Sequence, residues 1–231
     1  MRLVFMNQLV QYYPLACPAN NFVLISMESK SSRSPGRPRT FDRDNVLDRA
    51  VTTFWTNGFN GSSLDDLTET MGIGRPSLYA TFGSKHGLFM EVIDRYAATF
   101  GCQPVNALQG EPDINKAVSA FFEASIRCVT SRDGPKGCLI ASVATVEAEQ
   151  DEQVRDKLIG MLAETDRVVA DRFIAAQDQG QISRKSDPRA LARMVISITH
   201  SFATRARFGA SRKELSRLAM DFMALLFPKP I

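Results

Sequence analysis

Apolar residues in the stretch from about residue 42 to residue 100 recur every three or four positions, in four runs separated by glycine or serine. This period places the apolar side chains along one face of a helix. The first run predicts a helix over 42–57, ended by Gly58, and the fourth predicts a helix over 85–100. Phe54 and Trp55 fall on the apolar face of the first helix, so we assign them to a core.

Two shorter helices are predicted between these two, at about 63–82. In the first, the apolar side chains share one face, and Gly72 supplies the left-handed residue that ends it. Arg75-Pro76-Ser77 opens the second helix, with proline in the first turn, where its missing N–H needs no partner. Leu78 and Phe82 face inward, so the opposite face is polar. This arrangement is a helix-turn-helix, and its second helix has the size and polarity to enter a DNA major groove.

The rest of the chain is also predicted to be helical. A long amphipathic helix covers about 152–179, and two more cover about 187–227. Residues 101–112 contain two glycines and two prolines, and we take this stretch as a domain boundary. The predicted fold is all-α, with a three-helix helix-turn-helix domain linked by a fourth helix to a larger helical domain. The predicted divisions are an extension and basic arm (1–39), the helix-turn-helix domain (40–100) and the larger helical domain (101–231).

The distribution of charge predicts a basic arm ahead of the helix-turn-helix domain. The net charge is only +3, but Lys30, Arg33, Arg37 and Arg39 fall in one run without an acid. Such a run among Ser, Pro and Gly is expected to be disordered alone and to order on a polyanion.

Residues 1–26 make a poor signal peptide and are too polar to span a membrane. They are either a dispensable extension or the product of an upstream start codon.

The sequence shows no pattern of a metal or catalytic site. Its two histidines are far apart, its four cysteines have no CxxC spacing, and it lacks a nucleophile elbow and a phosphate-binding glycine loop. We therefore predict no metal, no cofactor and no enzymatic activity, and a cytoplasmic location without a membrane segment. A helical adaptor whose helix-turn-helix only packs is a further alternative.

The helix-turn-helix region carries a specific set of residues. The set comprises Phe54, Gly58-Phe59, Ser62-Ser63-Leu64, Leu67, Met71-Gly72-Ile73, Leu78-Tyr79-Ala80-Thr81-Phe82-Gly83-Ser84-Lys85 and Leu88-Phe89. It resembles the DNA-binding domain of TetR-type (AcrR-like) transcriptional regulators over roughly residues 40–100. Two positions depart from the usual pattern. Gly74 stands where Ser or Thr usually caps the recognition helix, and His86 stands where an acid is common.

The resemblance implies a sequence-specific DNA-binding transcriptional regulator, a repressor released from a palindromic double-stranded operator by a small-molecule effector. It also implies a homodimer, which we place at about 187–227. Arg75, Ser77 and Thr81 are predicted to read base edges. The residues predicted to contact the phosphates are Ser62, Ser63, Tyr79 and Lys85. The other predicted DNA-binding residues are Pro76 and, in the basic arm, Arg37 and Arg39.

The effector pocket is expected within residues 113–180. Its predicted lining is Phe121, Phe122, Cys128, Cys138, Met161 and Phe173, although each of these side chains would serve equally well as plain core. Such a lining favours an apolar or aromatic ligand. Cys138, at a predicted helix N-terminus, leaves open an alternative function as a sensor of electrophiles or oxidants, because a helix dipole lowers the pKa of a thiol.

Overall fold

The computed structural model of the protein describes residues 42–131 and 134–228, which form an all-α fold. The helices of the amino-terminal half are α1 (Arg43–Gly61), α2 (Leu64–Met71), α3 (Arg75–Phe82), α4 (Lys85–Tyr96) and α5 (Cys102–Gln109). The helices of the carboxyl-terminal half are α6 (Ile114–Val129), α7 (Thr145–Glu147), α8 (Glu152–Asp178), α9 (Pro188–Arg207) and α10 (Arg212–Leu226). Two π-helical segments complete the set, π1 (Ala97–Gly101) and π2 (Ile140–Ala144).

Local capping chemistry defines the ends of the helix-turn-helix. The Ser63 hydroxyl accepts a hydrogen bond from the Asp66 N–H, and the Asp66 carboxylate accepts one from the Ser63 N–H, which forms a capping box at the start of α2. Gly72 ends α2 in the left-handed conformation, with φ of 70°. No side chain caps the start of α3, where Gly74 stands. These features agree with the predicted turn and with the expected weak cap.

The connecting helix is longer than predicted. We expected the chain to leave its helix at Gly101, but α4, π1 and α5 follow one another without a break from Lys85 to Gln109. Pro104 has no N–H to donate to the Phe100 carbonyl, and the thiol of Cys128 donates to that oxygen instead, at 3.6 Å. A π-helical turn accommodates an irregular position without ending the helix. The helical break comes only after Gln109.

Two hydrophobic cores lie along this connecting helix. The first core is formed by α1 to α4, with Phe54 and Phe89 fully buried and their rings 5.1 Å apart. Leu139, Val143, Ala144 and Val154 from the carboxyl-terminal half complete it. The second core joins α5, α6, α8, α9 and α10. The small amino-terminal unit therefore shares its interior with residues distant in the sequence.

Charged side chains fix α4 to α1 on the surface. Arg95 donates to Asp48 at 2.7 and 2.9 Å and also lies 3.1 Å from Asp44. The hydrogen bond to Asp48 is the main reason why the pKa of Arg95 is raised.

Within the described ranges, no helix combines the length and apolar character needed to cross a bilayer.

Candidate nucleic-acid interface and interior cavity

Helix α3 presents a polar face to solvent. Leu78 and Phe82 are buried against α1, α2 and α4, which turns the other side of α3 outward. Tyr79 is 47% exposed, an unusual exposure for a large aromatic side chain. Arg75, Pro76 and Ser77 are also exposed, and Thr81 is half-buried. The structure thus brings the predicted base-reading residues onto one helix, in the arrangement expected from the sequence.

Arg75 is already paired in the free protein. Its Nη2 lies 2.7 Å from Asp65 Oδ1, and its Nε lies 3.1 Å from the same oxygen. Both side chains are more than half exposed, at 54% and 76%. An ion pair this exposed is weak and exchanges readily, because water screens it. A base edge that binds Arg75 must therefore compete with the Asp65 carboxylate, a partner that the sequence did not reveal.

Ser62 is not part of the surface. Its side chain is fully buried, and its hydroxyl donates to the Gly58 carbonyl at 2.7 Å and to the Thr53 carbonyl at 3.5 Å. The predicted backbone contact by Ser62 is therefore wrong: the residue closes the end of α1, where Gly58 departs from helical geometry. Ser63 is exposed, and its oxygen is engaged in the cap of α2.

Lys85 lies against the body of the protein. Its Nζ is 4.5 Å from the centre of the Phe59 ring, a cation–π geometry. Partial burial lowers the pKa of Lys85, and the nearby Glu147 carboxylate opposes that effect. Lys85 begins α4 at the end of the turn after α3, as predicted. Arg37 and Arg39, the predicted DNA contacts of the basic arm, lie outside the described residues.

Gly87 is a residue that the sequence analysis missed. It is the third residue of α4, where its N–H donates to Ser84 Oγ at 2.9 Å. A Cβ atom at this position would stand 2.1 Å from the Phe82 carbonyl oxygen, at the end of α3. Only glycine permits so close an approach. The glycine at this position is thus what allows α3 to sit directly against α4.

A cavity of about 480 Å³ lies where the connecting helix meets the carboxyl-terminal half, and it opens to solvent near Thr145, His200 and Thr204, which are exposed. Both π-helical segments contribute to its wall, through residues such as Phe100 and Ile140. Departures from α-helical geometry are frequent at functional sites. The described lining residues are Tyr96, Ala97, Phe100, Gly101, Pro104, Val105, Phe121, Ser125, Cys128, Val129, Cys138, Ile140, Ala141, Thr145, Leu158, Met161, Leu162, Thr165, Ile196, Thr199, His200, Ala203 and Thr204.

The predicted pocket residues divide into two groups. Phe121, Cys128, Cys138 and Met161 line the cavity. Phe122 and Phe173 do not, since both are buried in the second core, where the Phe122 ring meets the Phe202 ring at 5.6 Å. Tyr96, Phe100 and the residues of α9 lie outside residues 113–180, the range in which the pocket was expected, and so they were not predicted.

Two polar side-chain contacts connect α4 with α8 and its N-cap residue, Asp151. His86 Nε2 lies 2.7 Å from Asp151 Oδ2, and Lys157 forms an ion pair with Asp94. A hydrogen bond from the Val154 N–H is the main cause that lowers the pKa of Asp151, and His86 contributes less. The contacts lie near opposite ends of α4. They join the unit that carries α3 directly to a helix that lines the cavity.

Comparison with known proteins identifies the family. Residues 46–92 match the model of the bacterial regulatory proteins of the tetR family, and residues 115–222 match the tetracyclin repressor-like C-terminal domain. The HTH-type transcriptional repressor ComR of Escherichia coli (strain K12) is 34% identical over 188 residues, which cover 81% of this chain and 90% of ComR. The chain belongs to the TetR family of transcriptional regulators.

Other TetR-family proteins extend the comparison. The HTH-type transcriptional repressor BdcR of the same E. coli strain is 33% identical over 111 residues, 48% of this chain and 56% of BdcR. A solved structure of the TetR-family regulator CifR, a cysteine mutant complexed with 26-base-pair operator DNA, superposes with a TM-score of 0.75. It is 33% identical and covers 81% of this chain and 98% of the CifR chain.

These findings do not favour the alternative that the TetR-family protein senses electrophiles through Cys138. Cys138 precedes π2 rather than an extended α-helix. Burial raises the pKa of the neighbouring Cys128 thiol to about 11, so this thiol stays protonated at neutral pH. A protonated thiol is a weak nucleophile.

Proposed function

We propose that this TetR-family regulator is a repressor that binds a palindromic DNA operator as a homodimer, with α3 in the major groove. The observation that carries this proposal is the outward polar face of α3, held by buried Leu78 and Phe82. The operator-bound CifR structure and the repressor ComR, both more than 30% identical to this chain, support it.

In this proposal, Arg75, Ser77 and Thr81 read base edges. An arginine forms two parallel hydrogen bonds to guanine, whereas Ser and Thr are less selective. Ser63, Tyr79 and Lys85 would contact the phosphates and set the register of the protein on the duplex. The arm that contains Arg37 and Arg39 would add contacts to the backbone or the minor groove.

Replacing Arg75 with alanine is expected to weaken operator binding by about 1–3 kcal/mol and to relax the preference at one base pair. Affinity for random DNA should fall less, because non-specific binding depends on phosphate contacts and not on base edges. Binding isotherms on operator and random duplexes at several salt concentrations test this. Lys185→Ala, which removes the same charge from an exposed loop, is the control. Equal losses on both duplexes would contradict base reading by Arg75.

Dimerisation is assigned to α9 and α10. Met194, Phe208, Met220 and Leu225 on or next to these helices are exposed by 53%, 85%, 64% and 77%. Large apolar side chains exposed in one region mark a protein–protein interface. Two copies of the pair would form a four-helix bundle, and a two-fold dimer matches a palindromic operator.

The cavity would hold a small-molecule effector that releases the DNA. Its wall includes Tyr96 and Phe100, which belong to the connecting helix that begins at Lys85, directly after α3. A ligand that fits one position of this helix better than another shifts the distance between the two recognition helices of the dimer. The contact between His86 and Asp151 and the ion pair between Asp94 and Lys157 would transmit the same displacement to α8.

The experiment that tests the function is selection of bound duplexes from a random pool by the purified full-length protein. We expect a palindromic motif with two half-sites centred about one helical turn, or a multiple of it, apart. Absence of any preferred sequence over competitor DNA at modest ionic strength would refute the proposal.

A further inference from the structure

The cavity wall has no ionic partner to offer a ligand. Of the described residues that line it, none is Asp, Glu, Lys or Arg. Burial lowers the pKa of His200, although the Asp166 carboxylate opposes this, so the imidazole is neutral at pH 7. A charged ligand group would lose its hydration there without gaining a counter-charge. Such a transfer is strongly unfavourable.

The serine and threonine hydroxyls of the cavity wall already donate their hydrogens to backbone carbonyls. Each of the five serine and threonine hydroxyls donates to a backbone carbonyl three or four residues earlier in the chain, at distances from 2.7 to 3.1 Å. The pairs are Ser125 with Phe121, Thr145 with Ala141, Thr165 with Met161, Thr199 with Ile196 and Thr204 with His200. A hydroxyl that donates in this way retains free lone pairs. The wall therefore offers acceptors to a ligand.

The thiol of Cys128 follows the same rule. It donates to the Phe100 carbonyl at 3.6 Å and to Gln103 Oε1 at 3.5 Å. Burial raises the pKa of Tyr96 well above its ordinary value. Tyr96 is therefore neutral at pH 7. An acceptor group of a ligand can pair with the N–H of the neutral His200 imidazole, whereas pairing with the Cys128 thiol would break one of its present bonds.

We propose that the effector is an uncharged molecule with an apolar body and a hydrogen-bond donor, such as an alcohol or a phenol, and not a carboxylate, a phosphate ester or an amine cation. This inference rests on the proposed function, since it specifies the ligand of the proposed effector cavity. The apolar body contacts side chains such as Phe100, Phe121 and Met161. The donor binds one of the threonine or serine oxygens.

The protein contains a reporter for this cavity. Trp55 is its single tryptophan. The indole ring lies 5.1 Å from the Tyr96 ring and 5.5 Å from the Phe100 ring, both edge to face, and these two rings line the cavity. A ligand that displaces either ring changes the surroundings of the indole. Trp55 fluorescence therefore measures occupancy without a label and without DNA.

The test compares ten-carbon probes that are transparent where tryptophan absorbs. They are 1-decanol, 2-decanone, decanoate and decylammonium, each titrated into the full-length protein at pH 7 below its aggregation concentration. We expect 1-decanol to bind at least about tenfold more tightly than either ion, because both ions lose hydration. 2-Decanone, which has no donor, should fall between. Decanoate or decylammonium affinity equal to or above that of 1-decanol would overturn the inference, as would the absence of any response to 1-decanol.

A lysine variant tests whether the missing counter-charge is the reason for the expected preference. Thr165, half-buried on α8 at the cavity wall, is replaced by lysine, which supplies the missing counter-charge. The preference should then move from 1-decanol towards decanoate, and Thr165→Val should not produce this shift. An unchanged preference in a folded Thr165→Lys protein would count against the proposed ligand site.

Operator binding is measured separately, on the duplex obtained by selection. Release of this duplex by 1-decanol but not by decanoate supports both proposals. If the protein binds no preferred duplex, the proposed function fails while the fluorescence ranking still tests the ligand class. If the duplex is bound and the ranking is reversed, only the ligand class fails.

Discussion

Replacing Gly87 with alanine is expected to reduce operator affinity by about 100-fold or more, approaching the level of non-specific binding. The added Cβ would stand 2.1 Å from the Phe82 carbonyl oxygen, a distance that no relaxation of a side chain can relieve. The end of α3 must move away from α4. In a dimer, both recognition helices would be displaced from their half-sites. Gel-shift titrations on the operator measure the loss, and circular dichroism checks that the helices remain.

Gly160→Ala is the matched control for Gly87→Ala. Gly160 lies within α8, and apart from its chain neighbours and the adjacent backbone of that helix, no described atom lies within 4 Å of a Cβ built there. Alanine in an unhindered helical position stabilises by about 0.5–1 kcal/mol. This variant should melt at or above the temperature of the parent and bind operator equally well. Operator affinity of Gly87→Ala equal to that of Gly160→Ala would show that the α3–α4 contact does not position the recognition helix.

Replacing Met220 with glutamate is expected to separate the proposed dimer and to lower operator affinity by about 10²–10⁴-fold. The residue is 64% exposed on α10, where two copies would bury its side chain. A buried carboxylate without a partner is costly, and a monomer loses the gain of simultaneous binding to two half-sites. Sedimentation equilibrium gives the oligomeric state, and gel shifts give the affinity.

Val146→Glu is the control for Met220→Glu. Val146, in α7, is 60% exposed and apolar, but it lies outside α9 and α10. It should remain dimeric and bind operator like the parent. A dimeric Met220→Glu protein, or dissociation by Val146→Glu alone, would show that the interface lies elsewhere.

The helix-turn-helix could be predicted from the sequence because its determinants are local. Gly72 is left-handed and ends α2, Ser63 caps the same helix, and Leu78 and Phe82 face inward, as their spacing indicates. Each of these features depends on residues within a few positions of one another. The family resemblance rests on the same residues, and the family comparisons confirm it.

The features that sequence analysis missed depend on distant partners. Pro104 is tolerated inside a continuous helix because π1 precedes it and because Cys128, on α6, donates to the Phe100 carbonyl. The choice between Phe121 and Phe122 for the cavity depends on how α6 is turned towards α9. Neither the contact of Cys128 with Phe100 nor the orientation of α6 can be predicted from the spacing of neighbouring residues. The burial of Ser62 likewise follows from the break in helical geometry at Gly58.

The shared interior beneath the helix-turn-helix has a thermodynamic consequence. Leu139, Val143 and Val154 complete the core that holds α1 to α4, so a fragment that stops at Phe100 would lose part of its own interior. Unfolding of the two halves should accordingly be one cooperative transition. A molecule that tightens the cavity walls also protects the DNA-binding unit against heat and proteolysis, although it touches no residue of α3.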